Sequence, residues 1–305
     1  MTLAIPLLVL VHLLAFGYAL LARGMQEEQS PFRAPAVGVS ITYEIATHVD
    51  AVLRGEFGAL PRNQGAVLDV VAAAFGRSLS VLLPAFVVAA AAGVSLGRAA
   101  AQQNQARISG WLLPLATLLQ ATPSFYSGVL LTALLLATAI DGLPVQGNLL
   151  WPALVLALRP ALRIAQLVAH LIVTESDKQY VVTARGIGHS ISGVRRAHIF
   201  PNVAASVVNE LAGAFRWMAA ELVIVEWLFN WPGLGRLLGM VLIVPRRTDA
   251  EAVFFLHPEL AAMTFTAMTL LFVLADITTR AATNAVDPRL RALPEPDARQ
   301  EARSA

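Results

Sequence analysis

Several stretches of this chain approach or exceed the roughly 20 consecutive apolar residues that cross the hydrocarbon core of a bilayer, and this limits the fold more than any other feature. LAIPLLVLVHLLAFGYALLA (3–22) is the first. It is long for a signal-peptide core, has no basic leader and carries only a weak small-residue cleavage pattern, so it is expected to remain as a helix. LSVLLPAFVVAAAAGVSLG (79–97) is the second, rich in small residues that let helices approach closely. Residues 111–140 are too many for one straight span. Pro114 and Pro123 break them, and ATPSF (121–125) reads as the joint between an interfacial piece and a third span at about 123–140. The fourth to sixth spans fall at 149–173, about 204–228 and about 259–279. Overall 57% of residues are hydrophobic and 14% charged, against about 45–50% and about 25% in soluble domains. The expected fold is an all-α polytopic membrane protein with six transmembrane helices.

The spans divide the chain into an N-terminal helix (1–22), an extracytoplasmic segment (23–75), a transmembrane domain (76–280) and a polar tail (281–305). Short loops rich in Arg and Lys stay in the cytoplasm. The loops 98–110 and 174–203 and the tail are the basic ones, which places both termini inside; Arg236, Arg246 and Arg247 in 229–258 run modestly against the rule.

Several chemistries are excluded or unsupported. There is no cysteine, and the net charge of +2 forms no nucleic-acid surface. The only lysine, Lys178, lies in VTESDKQ, which lacks the glycines and hydroxyl of a phosphate-binding loop. His12, His48, His170, His189, His198 and His257 have no metal-like spacing, and no Gly-x-Ser-x-Gly nucleophile turn occurs. No enzyme, metal site or cofactor is expected. Trp217, Trp227 and Trp231 fit an outer interfacial belt.

The polar stretch YVVTARGIGHSISGVRRAHIFPN (180–202) stands out between two apolar runs. Thr174 and Asp177 resemble a capping box, Glu175 and Asp177 suit a helix N-terminus, Arg185 suits a last turn, and Gly188 suits the left-handed position after it. A short helix is therefore expected over 175–187, and a second over about 190–200 before Pro201. Val181, Ala184 and Ile187 would share an apolar face. By itself this pattern fits equally a helix pair resting on lipid headgroups.

The stretch resembles the conserved cytoplasmic loop of permeases from binding-protein-dependent ABC importers of the dipeptide/oligopeptide/nickel type. Tyr180, Val181, Thr183, Ala184, Arg185, Gly188, His198 and Asn202 carry the match. Further landmarks follow in order: LRGEFGAL (53–60), GRSLSVLLPA (76–85), TPSFYSGVLL (122–131), WPGLGRLL (231–238) and DPRLR (287–291). In the fourth, Trp231, Pro232, Gly233 and Gly235 form the motif near the outer side. Departures are Pro201 where the family has a basic residue, Ser206 at its proline position, a missing Arg near Ala169, the uncharged Ile191–Ser192–Gly193, and a longer segment at 246–260. The resemblance implies a type I ABC importer transmembrane domain of the first-permease type in a prokaryotic inner membrane. It also implies a second permease, two cytoplasmic ATPase subunits docked on the 174–203 loop and an extracytoplasmic solute-binding protein, moving a small polar solute such as a di- or oligopeptide by alternating access. The competing classes are a secondary transporter, for which no inverted repeat is visible, a channel without an ATPase partner, and an intramembrane enzyme.

Charges inside the spans bear on the path. Arg159 and Arg163 share a face of span four; Glu210, Arg216, Glu221 and Glu226 lie along span five, with Glu210 and Glu221 on one face and Arg216 on another. Each costs about 2.5–3.5 kcal/mol at the bilayer centre, so none is expected to face lipid. Either Arg159, Arg163, Glu210, Arg216 and Glu221 line a water-filled path, or they form structural pairs between spans, for instance Arg163 with Glu221.

Overall fold

The computed structural model describes residues 4–29, 41–61, 64–102, 107–138, 147–243 and 254–286, with the side chains of 25–29 excepted. The DPRLR landmark, residues 246–253 of the longer segment and most of the tail and of the 141–148 turn lie outside them. Apart from a two-residue strand pair, Ala101–Gln102 with Arg107–Ile108, the described elements are helices. They are α1 (Ala4–Gln29), α2 (Ile41–Leu53), α3 (Val67–Ala100), α4 (Leu112–Ala121), α5 (Ser124–Thr138), α6 (Leu150–Ser176), α7 (Gln179–Gly186), α8 (Ile191–Val194), α9 (Phe200–Leu228), α10 (Leu234–Leu242) and α11 (Pro258–Val286).

Among the described residues α1, α3, α6 and α11 are long and apolar enough to cross a membrane, and the α4–α5 pair adds a fifth crossing if it counts as one span. The pair bends by 96°. Pro123 causes the bend: the residue before a proline is driven out of the helical region, and Thr122 has ψ 126°. The Thr122 hydroxyl donates to the carbonyls of Leu118 (3.0 Å) and Leu119 (3.1 Å), satisfying the broken helix end. Pro114 does not break the chain as expected. It sits in the first turn of α4, where a missing N–H costs nothing. α9 is 29 residues long and packs against α6 and α11, but Glu210, Arg216, Glu221 and Glu226 lower its apolarity.

The most extensive helix pair is α3 with α6. Ala85, Ala89, Gly93 and Gly97 on α3 and Ala157, Ala161, Ala165 and Ala169 on α6 recur every fourth residue and are all buried. A Cβ on Gly93 would lie 2.7 Å from the Ala161 carbonyl oxygen, and one on Gly97 2.6 Å from that of Ala165. Two backbones in contact at this range leave no room for any side chain. Apolar burial gives helices no net drive to associate in lipid, so close van der Waals contact of this kind supplies the attraction.

α3 begins at Val67, ahead of the apolar run at 79, because Val67, Val71, Ala74 and Ser78 extend its buried face. At the other side of the bundle α1 packs on α11, and α2 packs on α1. The Thr266 hydroxyl donates to the Ala262 carbonyl (2.7 Å), so His12 Nδ1 donates to Thr266 Oγ1 (2.9 Å) and His12 Nε2 accepts from His48 Nε2 (3.0 Å). Phe16 stacks on His48. These histidines are therefore a joint between elements, and burial pulls His48 below its usual range so that it stays neutral.

Replacing Gly97 by Val should disrupt the α3–α6 contact, at about 1–3 kcal/mol or more for overpacking. A clear loss of thermal stability of the solubilised protein is expected. Gly76→Ala, on the same helix where a Cβ meets nothing within 4 Å, should leave it unchanged.

Candidate functional site

The polar loop is built differently from the capping-box expectation. α6 continues to Ser176, so Thr174 lies inside it, and α7 starts at Gln179 behind Lys178, which offers no side-chain cap. The glycine stop is as expected. Gly188 has φ +95°, its N–H bonds to the Arg185 carbonyl (3.0 Å), and the His189 N–H bonds to that of Ala184 (3.1 Å), the paired bonds of a Schellman motif. The expected apolar face is split. Val181 and Ala184 turn into a buried cluster with Ile172, Val194 and Ile199, whereas Ile187 is 73% exposed and Val182 62%.

A brace joins α6, α7 and α9. The Tyr180 hydroxyl donates to Glu175 Oε1 (2.7 Å), and Asn202 Nδ2 donates to the Tyr180 oxygen (3.0 Å) and to Glu175 (3.3 Å). Lys178 pairs with the other Glu175 oxygen at 2.9 Å. Burial and the adjacent carboxylate raise the Tyr180 phenol above its usual range, so it remains a donor. Thr183 is turned to its own helix, donating to the Gln179 carbonyl (3.0 Å), and His198 meets His189 edge-on. Tyr180 and Asn202 are thus brought together as a unit; Glu175, which completes it, was not among the expected site residues.

The second expected helix does not stop before Pro201. α8, capped by the Ser190 hydroxyl accepting from the Gly193 N–H (3.1 Å), runs through a π-helical turn (Arg195–Ile199) into α9. A proline clashes with the carbonyl four residues back, and the widened turn accommodates it without ending the helix. From this turn Arg195 donates to the carbonyls of Arg98 (3.3 Å) and Ala101 (3.2 Å) at the C-terminus of α3. The Arg98 guanidinium in turn lies 4.6 Å over the Phe200 ring. Nothing in the local spacing of Arg195 announces this role, since its partners lie more than ninety residues away.

All five charges singled out for the path are paired, but not as Arg163 with Glu221. Arg159 bonds Glu221 at 2.6 Å, Arg163 bonds Glu210 at 2.7 Å, and Arg216 reaches Asp276 on α11 at 3.2 Å. Glu210 and Glu221 do share the α6-facing side, and Arg216 points elsewhere. Arg159 also donates to the Gln120 carbonyl (3.0 Å) and lies 4.4 Å over Trp217, which therefore joins this site. A cavity of about 320 Å³ opens here between α4, α6 and α9, lined by Gln120, Arg159, Pro160, Arg163, Gly213, Ala214 and Trp217. So pairing and lining are both true of Arg159 and Arg163, whereas Arg216 does not join the wall.

The WPGLG stretch surrounds a buried carboxylate. Glu226 is fully buried, accepts from the Ser78 hydroxyl (2.6 Å) and from the Gly235 N–H (2.6 Å), and sits at the N-terminus of α10, where the helix dipole favours an anion. Ser78 in turn accepts from the Leu234 N–H (2.8 Å). A Cβ on Gly233 would collide with the Glu226 carboxylate, and one on Gly235 with the backbone of Val223, so both glycines are required by close approach. Trp231 Nε1 donates to the Arg77 carbonyl (3.0 Å), and Pro232 leads into the turn before α10. The left-handed Asn230 (φ 55°) ends α9 just before this stretch. No group of three His, Asp or Glu among the described residues could hold a metal ion.

Comparison with known proteins agrees with this architecture. The glutathione transport system permease protein GsiC of Salmonella typhimurium (strain LT2) is 29% identical over 196 residues, 63% of this chain and 64% of that protein, and GsiC of Salmonella paratyphi A matches to the same extent. A Brucella abortus (strain 2308) protein, whose name assigns it to a peptide transport system as permease, is 28% identical over 185 residues, 56% of this chain and 59% of that one. The chain thus aligns with less than two thirds of the length of these relatives. Residues 93–292, from the close α3–α6 contact onward, match the family described as the inner membrane component of binding-protein-dependent transport systems. That match covers more than half of the sequence, and the chain belongs to this family of multi-pass membrane proteins.

Proposed function

We propose that this chain is a permease subunit of an ABC importer for peptide-like solutes, crossing the membrane six times with α4–α5 and α9 as the third and fifth spans. Its partners in this reading are a second permease, two cytoplasmic ATPase subunits and an extracytoplasmic solute-binding protein. The names of its relatives, which specify glutathione and peptide transport systems, support the solute class. One observation carries the mechanism: the polar cavity and the basic loop are joined by two continuous helices. α6 runs from Arg159 and Arg163 to Glu175, and α9 runs from Gly213 and Trp217 back to Asn202. Both helices end in the Tyr180 brace, so a displacement of α7 is transmitted to both walls of the cavity together. α7 with its glycine stop is then the coupling helix, with Val182 and Ile187 as the exposed apolar contacts for an ATPase groove.

Two outcomes test this. Val182→Asp with Ile187→Asp should abolish co-purification of the ATPase subunits while the permease remains folded and in the membrane, because both side chains are exposed and support no internal packing. Gly213→Leu should reduce ATP-driven uptake in proteoliposomes to the level seen without ATP while the complex assembles normally. A Cβ at Gly213 meets nothing within 4 Å, and Gly213 lines the cavity, so the larger side chain takes up cavity space. Uptake by the isolated chain without ATP or companion subunits would contradict the reading.

A further inference from the structure

The two ion pairs beside the cavity are not equivalent. Arg159 is held on three sides: by Glu221, by the Gln120 carbonyl and by the Trp217 ring. Its side chain is 14% exposed. Arg163, one turn further along α6, is 57% exposed and makes a single hydrogen bond, from Nε to Glu210. Its two Nη groups have no hydrogen-bond partner among the described residues. They form the planar fork that binds a carboxylate in two parallel bonds. The residues lining the cavity include Arg159, Arg163 and Gln120 but neither Glu210 nor Glu221, so both arginines reach the space without their carboxylate partners, beside the small Gly213 and Ala214.

Resting on the importer reading above, we infer that Arg163 reads a free carboxylate on the passing solute, with Glu210 as its displaceable counter-ion, whereas Arg159–Glu221 is a fixed strut. When a carboxylate bound at the Nη fork displaces Glu210, the solute's own ammonium can pair the freed carboxylate, so no further charge is left unpaired. Net charge stays unchanged when the solute brings its own ammonium, so a zwitterion suits the pair better than a simple anion. Arg163 is thereby a specificity-determining residue of the path, separate from selection by the external binding protein.

The test uses the complete importer in proteoliposomes with its binding protein, and trialanine, trialanine amide and glutathione as probes. Selection by the binding protein is common to wild type and variants, so a change in the acid-to-amide uptake ratio belongs to the permease. Arg163→Gln should lower that ratio by about tenfold or more, since even one of the two charge-assisted hydrogen bonds is worth that much, and Arg163→Lys should retain part of it. The charge swap Arg163→Glu with Glu210→Arg should restore the amount of assembled complex but not trialanine uptake, because residue 210 is not on the cavity wall. An unchanged ratio in Arg163→Gln, or recovery of trialanine uptake by the swap, would overturn the inference and leave the importer reading standing. Absence of ATP-dependent uptake of both trialanine and glutathione by the wild type would instead reject the reading on which it rests.

Discussion

The contact between the small-residue faces of α3 and α6 is the constraint on which the other features depend. Lipid offers apolar side chains as good an environment as a neighbouring helix does, so two helices associate closely only where their backbones can touch. Gly93 and Gly97 against Ala161 and Ala165 provide that contact. α6 is then held along one side over much of its length, and its remaining face is free to carry Arg159, Arg163 and the Glu175 end of the brace.

With α6 fixed, the charges follow. An arginine in the membrane interior must find an anion, a carbonyl or an aromatic face. α9 supplies Glu210 and Glu221 at an eleven-residue spacing that returns both to the same side of the helix. The pairs hold α6 and α9 together, yet the facing Gly213 and Ala214 prevent the seam from closing, and a polar cavity remains. Ion pairs, whether exposed or partly buried, are weak contributors to net stability because screening or desolvation offsets their attraction. Their effect here is to fix which faces of α6 and α9 meet.

Much of this was legible in the sequence where the signal is local. Gly188 announced a left-handed stop after a short helix, Pro123 announced a bend, and the abundance of small residues in 79–97 announced close helix contact. Tyr180 and Asn202 were picked out by a family pattern, and they meet in one hydrogen-bonded unit. What escaped depends on distant partners. Glu226 reads as one more charge in a span until Ser78, 148 residues earlier, and Gly235 are seen to surround it. Arg195 and the His12–His48 contact are hidden for the same reason. The misread capping box at Thr174 has another cause: a long apolar helix simply overran a local start signal, as tertiary packing commonly overrides propensity.

The π-turn at Arg195–Ile199 has a geometric consequence. One residue of an α-helix corresponds to about 100° of rotation, and a π-turn accommodates an extra residue without breaking the rod. The angular phase between Arg195, which faces the end of α3, and Gly213, which faces the cavity, is therefore the one a regular α-helix would give with one residue fewer between them. Loss of one residue inside the turn would close it to regular α-helix and leave the two ends on their present faces, whereas loss of one residue between Val203 and Ala212 would turn them about 100° apart.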